Sequence, residues 1–271
     1  MIATAPAFPH RLPAPGMLWG DYPERDEADR GIVARLDGAW EVLRALAGTR
    51  GAAPYLRFAR RVAARAAATA PAAADLARLR QDIARRGLDD DTAERAFALA
   101  CASCRHTLGV MPYATQIAAA RVMLDNRLAE MATGEGKTLA VALAAAVAAL
   151  GGTPVHVVTA NDYLADRDAG TLAAFYRALG LSVAAVTQPM ARDARRAAYG
   201  ADVAYCTARE LVFDYLRDGL ARPRAASALA RRARRLGQDE RATAPVLRGL
   251  CMALIDEADV VLLDEARVPL V

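Results

Sequence analysis

The chain has 271 residues, of which 55% are apolar and 24% charged, with a formal net charge of +4. This length holds one large domain or two small ones, and the balance is that of a folded globular chain rather than a disordered one. The small basic excess fits an anionic partner, nucleic acid or membrane surface, without requiring either.

Residues 1–30 are rich in proline, glycine and charge and carry no apolar period, which predicts a mobile tail. The first fifteen residues lack a basic segment followed by an apolar stretch and a cleavage site, so no secretory signal is expected and the cytoplasm is the expected compartment. From residue 31 to 108 the pattern is helical, with Leu36, Trp40, Leu43 and Leu46, then Leu76, Leu79 and Ile83, then Ala96, Leu99 and Ala100 at helical spacing. Gly87 is expected to end one helix and Asp91 or Thr92 to cap the next. Cys101 and Cys104 lie within that helix, and no second Cys/His pair follows at zinc-site spacing, so they read as two half-buried thiols rather than a metal or redox site.

Beyond Gly109 the texture changes to short apolar runs alternating with helical stretches. Leu128–Met131, Val155–Thr159, Ser182–Val186, Val203–Cys206 and Ala253–Ile255 each read as a buried strand. Strand and helix in alternation imply an α/β fold with a parallel sheet covered on both faces, over residues 109–271. The uncharged run from Leu139 to Leu150 is too short to cross a bilayer and reads as a buried helix. An arginine-rich stretch lies around residues 222–241.

One count singles out a position. Of 35 basic residues only Lys137 is lysine. It sits in Thr133, Gly134, Glu135, Gly136, Lys137 and Thr138, directly after a predicted strand and before a predicted helix. Such a loop turns backbone N–H groups and a helix N-terminus toward phosphates, while the hydroxyl of the threonine suits Mg²⁺. A compact ammonium reaches between phosphates where a planar guanidinium does not. Met131 stands where the usual first glycine of the loop would be. Asp256 and Glu257 end an apolar strand, which suggests Asp256 toward Mg²⁺ and Glu257 as the base for an attacking water. Gln116, 21 residues before Lys137, has an amide able to pair with both donor and acceptor on adenine, and so points to ATP.

These elements describe a superfamily of ATP-driven motors, and Asp256-Glu257-Ala258-Asp259 spells the signature of its helicases. Met131–Thr138, Thr159–Asp168, Phe213–Asp218 and Asp264–Leu270, in order, resemble segments of SecA, the ATPase that drives preproteins through the bacterial membrane channel. The resemblance runs from about Leu76 to Val271. It implies a RecA-like P-loop sheet preceded by a helical region. It also implies ATP and Mg²⁺ as cofactors, with Gln116 on adenine, Gly134–Thr138 on phosphates and metal, Asp256 on the metal and Glu257 as base. Asn161, Asp162 and Arg167 would support the nucleotide site or its coupling to the motor. Expected partners are unfolded preproteins, the Sec translocon channel, anionic lipids and a second copy of the chain, at the cytoplasmic face of the inner membrane; nucleic acid is not expected. The alternatives are a superfamily II RNA or DNA helicase domain, and a truncated nucleotide-binding fragment without turnover.

Three departures stand against the resemblance. Met111 replaces a basic residue usual beside the adenine pocket. The segment 219–250 is longer and more basic than usual, which reads as a solvated insert or a contact for acidic lipid headgroups. The chain ends where the family continues into a preprotein-binding insertion and a second motor domain with an arginine finger. Slow hydrolysis by the isolated chain is the expectation that follows.

Overall fold

A computed structural model describes residues 51–69, 73–221 and 245–264. The expected tail, the helical stripe before residue 51, the whole arginine-rich stretch and all but the first residue of the Asp264–Leu270 segment lie outside them. Among the described residues, eight helices and four strands follow in the order α1 (Ala53–Ala68), α2 (Ala73–Arg86), α3 (Asp90–Leu108), α4 (Ala114–Leu124), α5 (Lys137–Leu150), β1 (Val155–Thr159), α6 (Asp162–Ala178), β2 (Val183–Ala185), α7 (Arg192–Tyr199), β3 (Val203–Thr207), α8 (Ala208–Ala221) and β4 (Met252–Ile255), with a short π-helical turn at Val260–Asp264. No helix among the described residues is long and apolar enough to cross a membrane.

The strands form one parallel sheet in the order β2-β3-β1-β4. All five residues of both β1 and β3 are buried, as central strands covered on two faces must be. The pleat divides their side chains. Val155, Val157, Val203, Tyr205 and Leu254 face a core shared with α1–α6, while Val158, Ala204, Cys206 and Val186 face a smaller core with Tyr199, Val246 and Leu247. α5 is sheathed on nearly every side, with Ala140 through Leu150 all buried. Its alanine-rich sequence suits that position, because small side chains let neighbouring helices approach closely.

The helices preceding the loop are part of the larger core. Phe58 of α1 meets Phe97 of α3 edge-on at 5.5 Å between ring centroids, and the Arg121 guanidinium of α4 lies 5.1 Å over the Phe58 ring. Gly87, at φ 75°, ends α2 as expected. The cap of α3, however, is Asp89 rather than Asp91 or Thr92: its Oδ1 accepts from the Thr92 backbone N–H at 2.8 Å. Asp91 falls instead in the first turn, where it makes longer ion contacts to Arg65, Arg86 and Arg95. Cys101 and Cys104 are fully buried rather than half-buried, and burial pushes both thiols upward, Cys104 to about 12.

Two further expectations are corrected. Leu128–Met131 does not form a strand and pairs with none of the four strands. Leu128 is 81% exposed, and an apolar run becomes a strand only where a neighbour supplies hydrogen bonds and cover. The segment 219–250 is not solvated to its end, since Val246 and Leu247 are buried. Their backbone N–H groups both donate to the Asp218 carboxylate at 2.9 Å, which fastens the returning chain to α8 before β4.

Candidate nucleotide site

Asn161 and Asp162, and Asp256 and Glu257, directly follow the carboxyl ends of β1 and β4, where open α/β sheets hold ligands. β4 runs beside β1 with Ile255 opposite Val158, and the Asp256 N–H continues the ladder by donating to the Val158 carbonyl at 2.9 Å. Residues 161–167 and 256–257 therefore leave the sheet side by side.

The loop before α5 is built on two glycines in left-handed conformations, Gly134 at φ 87° and Gly136 at φ 77°, the latter being the N-cap of α5. These turns bring Glu135 back on Ala132, whose N–H donates to the Glu135 carboxylate at 3.2 Å while the Glu135 N–H donates to the Ala132 carbonyl at 3.3 Å. The N–H groups of Gly136, Lys137 and Thr138 meet no protein acceptor among the described residues. Thr133–Gly136 are exposed, and Lys137 and Thr138 half-buried. The result is an open cluster of donors at the positive end of a buried helix, which suits a phosphate.

Gln116 is tied to this loop. Its Oε1 accepts from the Tyr113 N–H at 2.9 Å, closing the first turn of α4, and its Nε2 donates to the Glu135 carbonyl at 2.8 Å. Gln116 is itself buried, 5% exposed, with one lone pair and one N–H beyond these two bonds.

Asp256 and Glu257 do not diverge by strand alternation as the sequence suggests, because β4 ends at Ile255. They are separated by a turn instead: Glu257 takes φ 54°, a left-handed conformation costly for a side chain with a Cβ, and its N–H donates to the Asp256 Oδ1 at 3.1 Å. Glu257 is exposed and Asp256 half-buried. Burial first, then the charges of Glu257 and Asp168, raise the Asp256 carboxyl above its ordinary value, while Lys137 pulls it down.

Asn161 caps α6, its side chain accepting from the Leu164 N–H at 2.9 Å. Asp162 follows, and its Oδ2 accepts from the Gln188 N–H at 2.8 Å, while Oδ1 is buried with no hydrogen-bond partner among the described residues. Arg167 pairs with Asp168 at 2.7 Å, and that hydrogen bond leads the causes that raise its pKa, with Asp256 contributing. Asp168 is the residue that sequence reasoning missed: buried on α6, it orients Arg167 and biases Asp256. Its position next to Arg167 was the available signal.

As a fit for MgATP, the donor set is suitable. The Thr138 hydroxyl and Asp256 carboxylate are hard oxygens of the kind Mg²⁺ takes, and the loop offers free amides to phosphate. No group of three or more His, Cys, Asp or Glu forms a metal cluster among the described residues, so Mg²⁺ here would depend on phosphate oxygens as well.

Comparison with known proteins gives a consistent result. Residues 59–271 match the family model described as the SecA DEAD-like domain. A protein translocase subunit SecA 2 of Nitrosospira multiformis is 40% identical over 92% of this chain and 38% of its own length. The SecA 2 of Bordetella avium is 47% identical over 68% of the chain and 28% of its length, and the SecA 3 of Magnetococcus marinus 44% over 73% and 30%. The chain therefore spans less than two-fifths of the length of these relatives.

Proposed function

Because the chain belongs to the SecA DEAD-like domain family, we propose that it is the ATP-binding motor part of a SecA-type translocase, which couples ATP hydrolysis to preprotein export. What supports this reading most is the turn before α5, where left-handed Gly134 and Gly136 leave N–H groups open beside the only lysine of the chain, in a parallel-sheet domain whose β4 ends at Asp256.

Each residue then has a task. Gly134, Glu135, Gly136, Lys137 and Thr138, with Thr133 before them, would wrap the phosphates in N–H donors and one ammonium. Thr138 and Asp256 would hold Mg²⁺, which supplies charge neutralisation on the phosphate oxygens. Glu257, exposed and turned away from Asp256, would accept a proton from the attacking water. Gln116 would offer its remaining donor and acceptor to adenine. Asn161, Asp162 and Arg167 would set the crest of α6 against the nucleotide. The partners proposed for the longer protein are unfolded preproteins, the membrane channel, anionic lipids and a second copy, with work at the cytoplasmic face of the inner membrane.

The test is a split between binding and chemistry. Glu257→Gln should retain MgATP binding and lose phosphate release. A variant that hydrolyses ATP as fast as the parent would remove Glu257 from the role of base.

A further inference from the structure

α8 is amphipathic in an inverted sense. Its stripe of Glu210, Asp214 and Asp218 is 3%, 1% and 2% exposed, whereas Val212, Leu216 and Leu220 stand 37%, 48% and 82% exposed. Burying carboxylates is costly unless every one is paired, and here each is. Arg195 of α7 donates to Glu210 and, at 2.7 Å, to Asp214; Tyr199 adds a bond to Asp214 at 3.1 Å; Asp218 takes two backbone N–H groups. The same guanidinium donates to the carbonyls of Thr187, Gln188 and Met190. This network sets the face α8 presents.

Beside the apolar stripe run Arg209, Phe213 and Arg217, four residues apart and so on one face, spanning about 12 Å along the helix. With Gln188 and Met190 opposite and Arg195 beneath, they line a cleft of about 310 Å³. Arg195 is neutralised by its carboxylates, but the rim arginines are not spent. Arg209 is 58% exposed and 4.0 Å from the nearest Glu210 oxygen; Arg217 is 61% exposed and gives one N–H to Asp214 at 3.2 Å while lying 5.8 Å over the Phe213 ring. Two guanidinium forks thus flank an aromatic ring, next to the exposed Leu216 and Leu220.

We propose that this cleft and the adjoining face of α8 form a docking site for an extended acidic peptide. Its carboxylates would sit on Arg209 and Arg217, and an apolar side chain midway between them on Phe213 and Leu216. Side chains four residues apart in an extended chain point the same way and lie about 13 Å apart, which matches the arginine spacing. A nucleic-acid strand fits less well: stacking platforms use successive aromatic rings, whereas Phe213 is a single ring, with the carboxylates of Glu210 and Asp214 buried on the same helix. The proposal does not depend on the nucleotide reading.

The experiment is fluorescence anisotropy on the whole chain. The probe is a labelled peptide with two glutamates four residues apart and a leucine midway. Its glutamine counterpart and oligouridylate serve as comparisons. The acidic peptide should bind, at least tenfold more tightly than the glutamine peptide, and more weakly as salt rises. R209A with R217A, both at exposed positions, should weaken it at least tenfold with an unchanged circular dichroism spectrum, and R217E should shift preference to a lysine-containing peptide. No binding of the acidic peptide, equal binding by the double variant, or tighter binding of oligouridylate would overturn the proposal.

Discussion

The Nε2 of Gln116 and the carbonyl oxygen of Glu135 lie 2.8 Å apart, so the side chain at the start of α4 holds the middle of the Lys137 loop. A Cβ placed on Gly136 would come within 2.3 Å of that same nitrogen, at a backbone φ of 77°. Gly136→Ala therefore meets two penalties. The left-handed conformation alone costs about 1–2 kcal/mol, and the amide of Gln116 must also move. We expect Gly136→Ala to lower stability by about 1–2 kcal/mol or more in urea titrations. A cycle with Gln116→Ala should show non-additivity of at least about 0.5 kcal/mol, because the second change removes the clash but not the strain.

Asp256 sets a pH dependence whose sign follows from its surroundings. Its folded-state pKa is raised, by burial first and then by Glu257. The folded state accordingly binds this proton more tightly than the unfolded chain, and stability falls as pH rises from the ordinary aspartate value through the raised one. Asp256→Asn should raise the melting temperature near neutral pH and flatten that part of the pH profile, while weakening any Mg²⁺ dependence of nucleotide binding. Melting curves between pH 3.5 and 7.5, a range set by the ordinary aspartate pKa of about 3.9, check both.

The Arg195 network is expected to be costly to break from either side. Arg195→Ala leaves Glu210 and Asp214, 3% and 1% exposed, without their shared buried cation, and the loss should be about 3–5 kcal/mol by denaturant unfolding. Replacing Arg195, Glu210 and Asp214 together by apolar residues should cost much less than the single change, as removal of a whole buried ionic group does.

Thiol chemistry gives a direct check on packing. Cys101, Cys104 and Cys206 are buried and Cys251 is partly exposed. Burial raises all four thiols. A thiol reagent should label Cys251 first in the native protein and the other three only on unfolding. Rapid labelling of Cys101 would contradict the packing of α3 against α5 and α6.

What the sequence disclosed depended on how many constraints each residue obeys. β1 and β3 were legible because strands buried on both faces read as continuous apolar runs. The turn before α5 was legible because its glycines answer to backbone conformation, Gly134 and Gly136 both being left-handed. Leu128–Met131 misled because apolar character says nothing about whether a pairing neighbour exists. Asp89 was missed as the cap since three consecutive aspartates, Asp89 to Asp91, offer the same chemistry and only one stands three residues before Thr92. Nothing in the local sequence marks Glu210 and Asp214 as buried, because their burial depends on Arg195, which the tertiary fold brings to them. The turn at Glu257 was hidden for a similar reason, since a glutamate gives no sign of a left-handed backbone.

The most direct measurement of the central claim is calorimetric titration of the chain with ATP in the presence of Mg²⁺, beside Lys137→Ala. The account predicts saturable binding by the parent and none by the variant, whose melting temperature should be unchanged because Lys137 is half-buried and forms no ion pair among the described residues. Equal binding of ATP by both proteins would contradict the assignment of the Lys137 loop as the phosphate site.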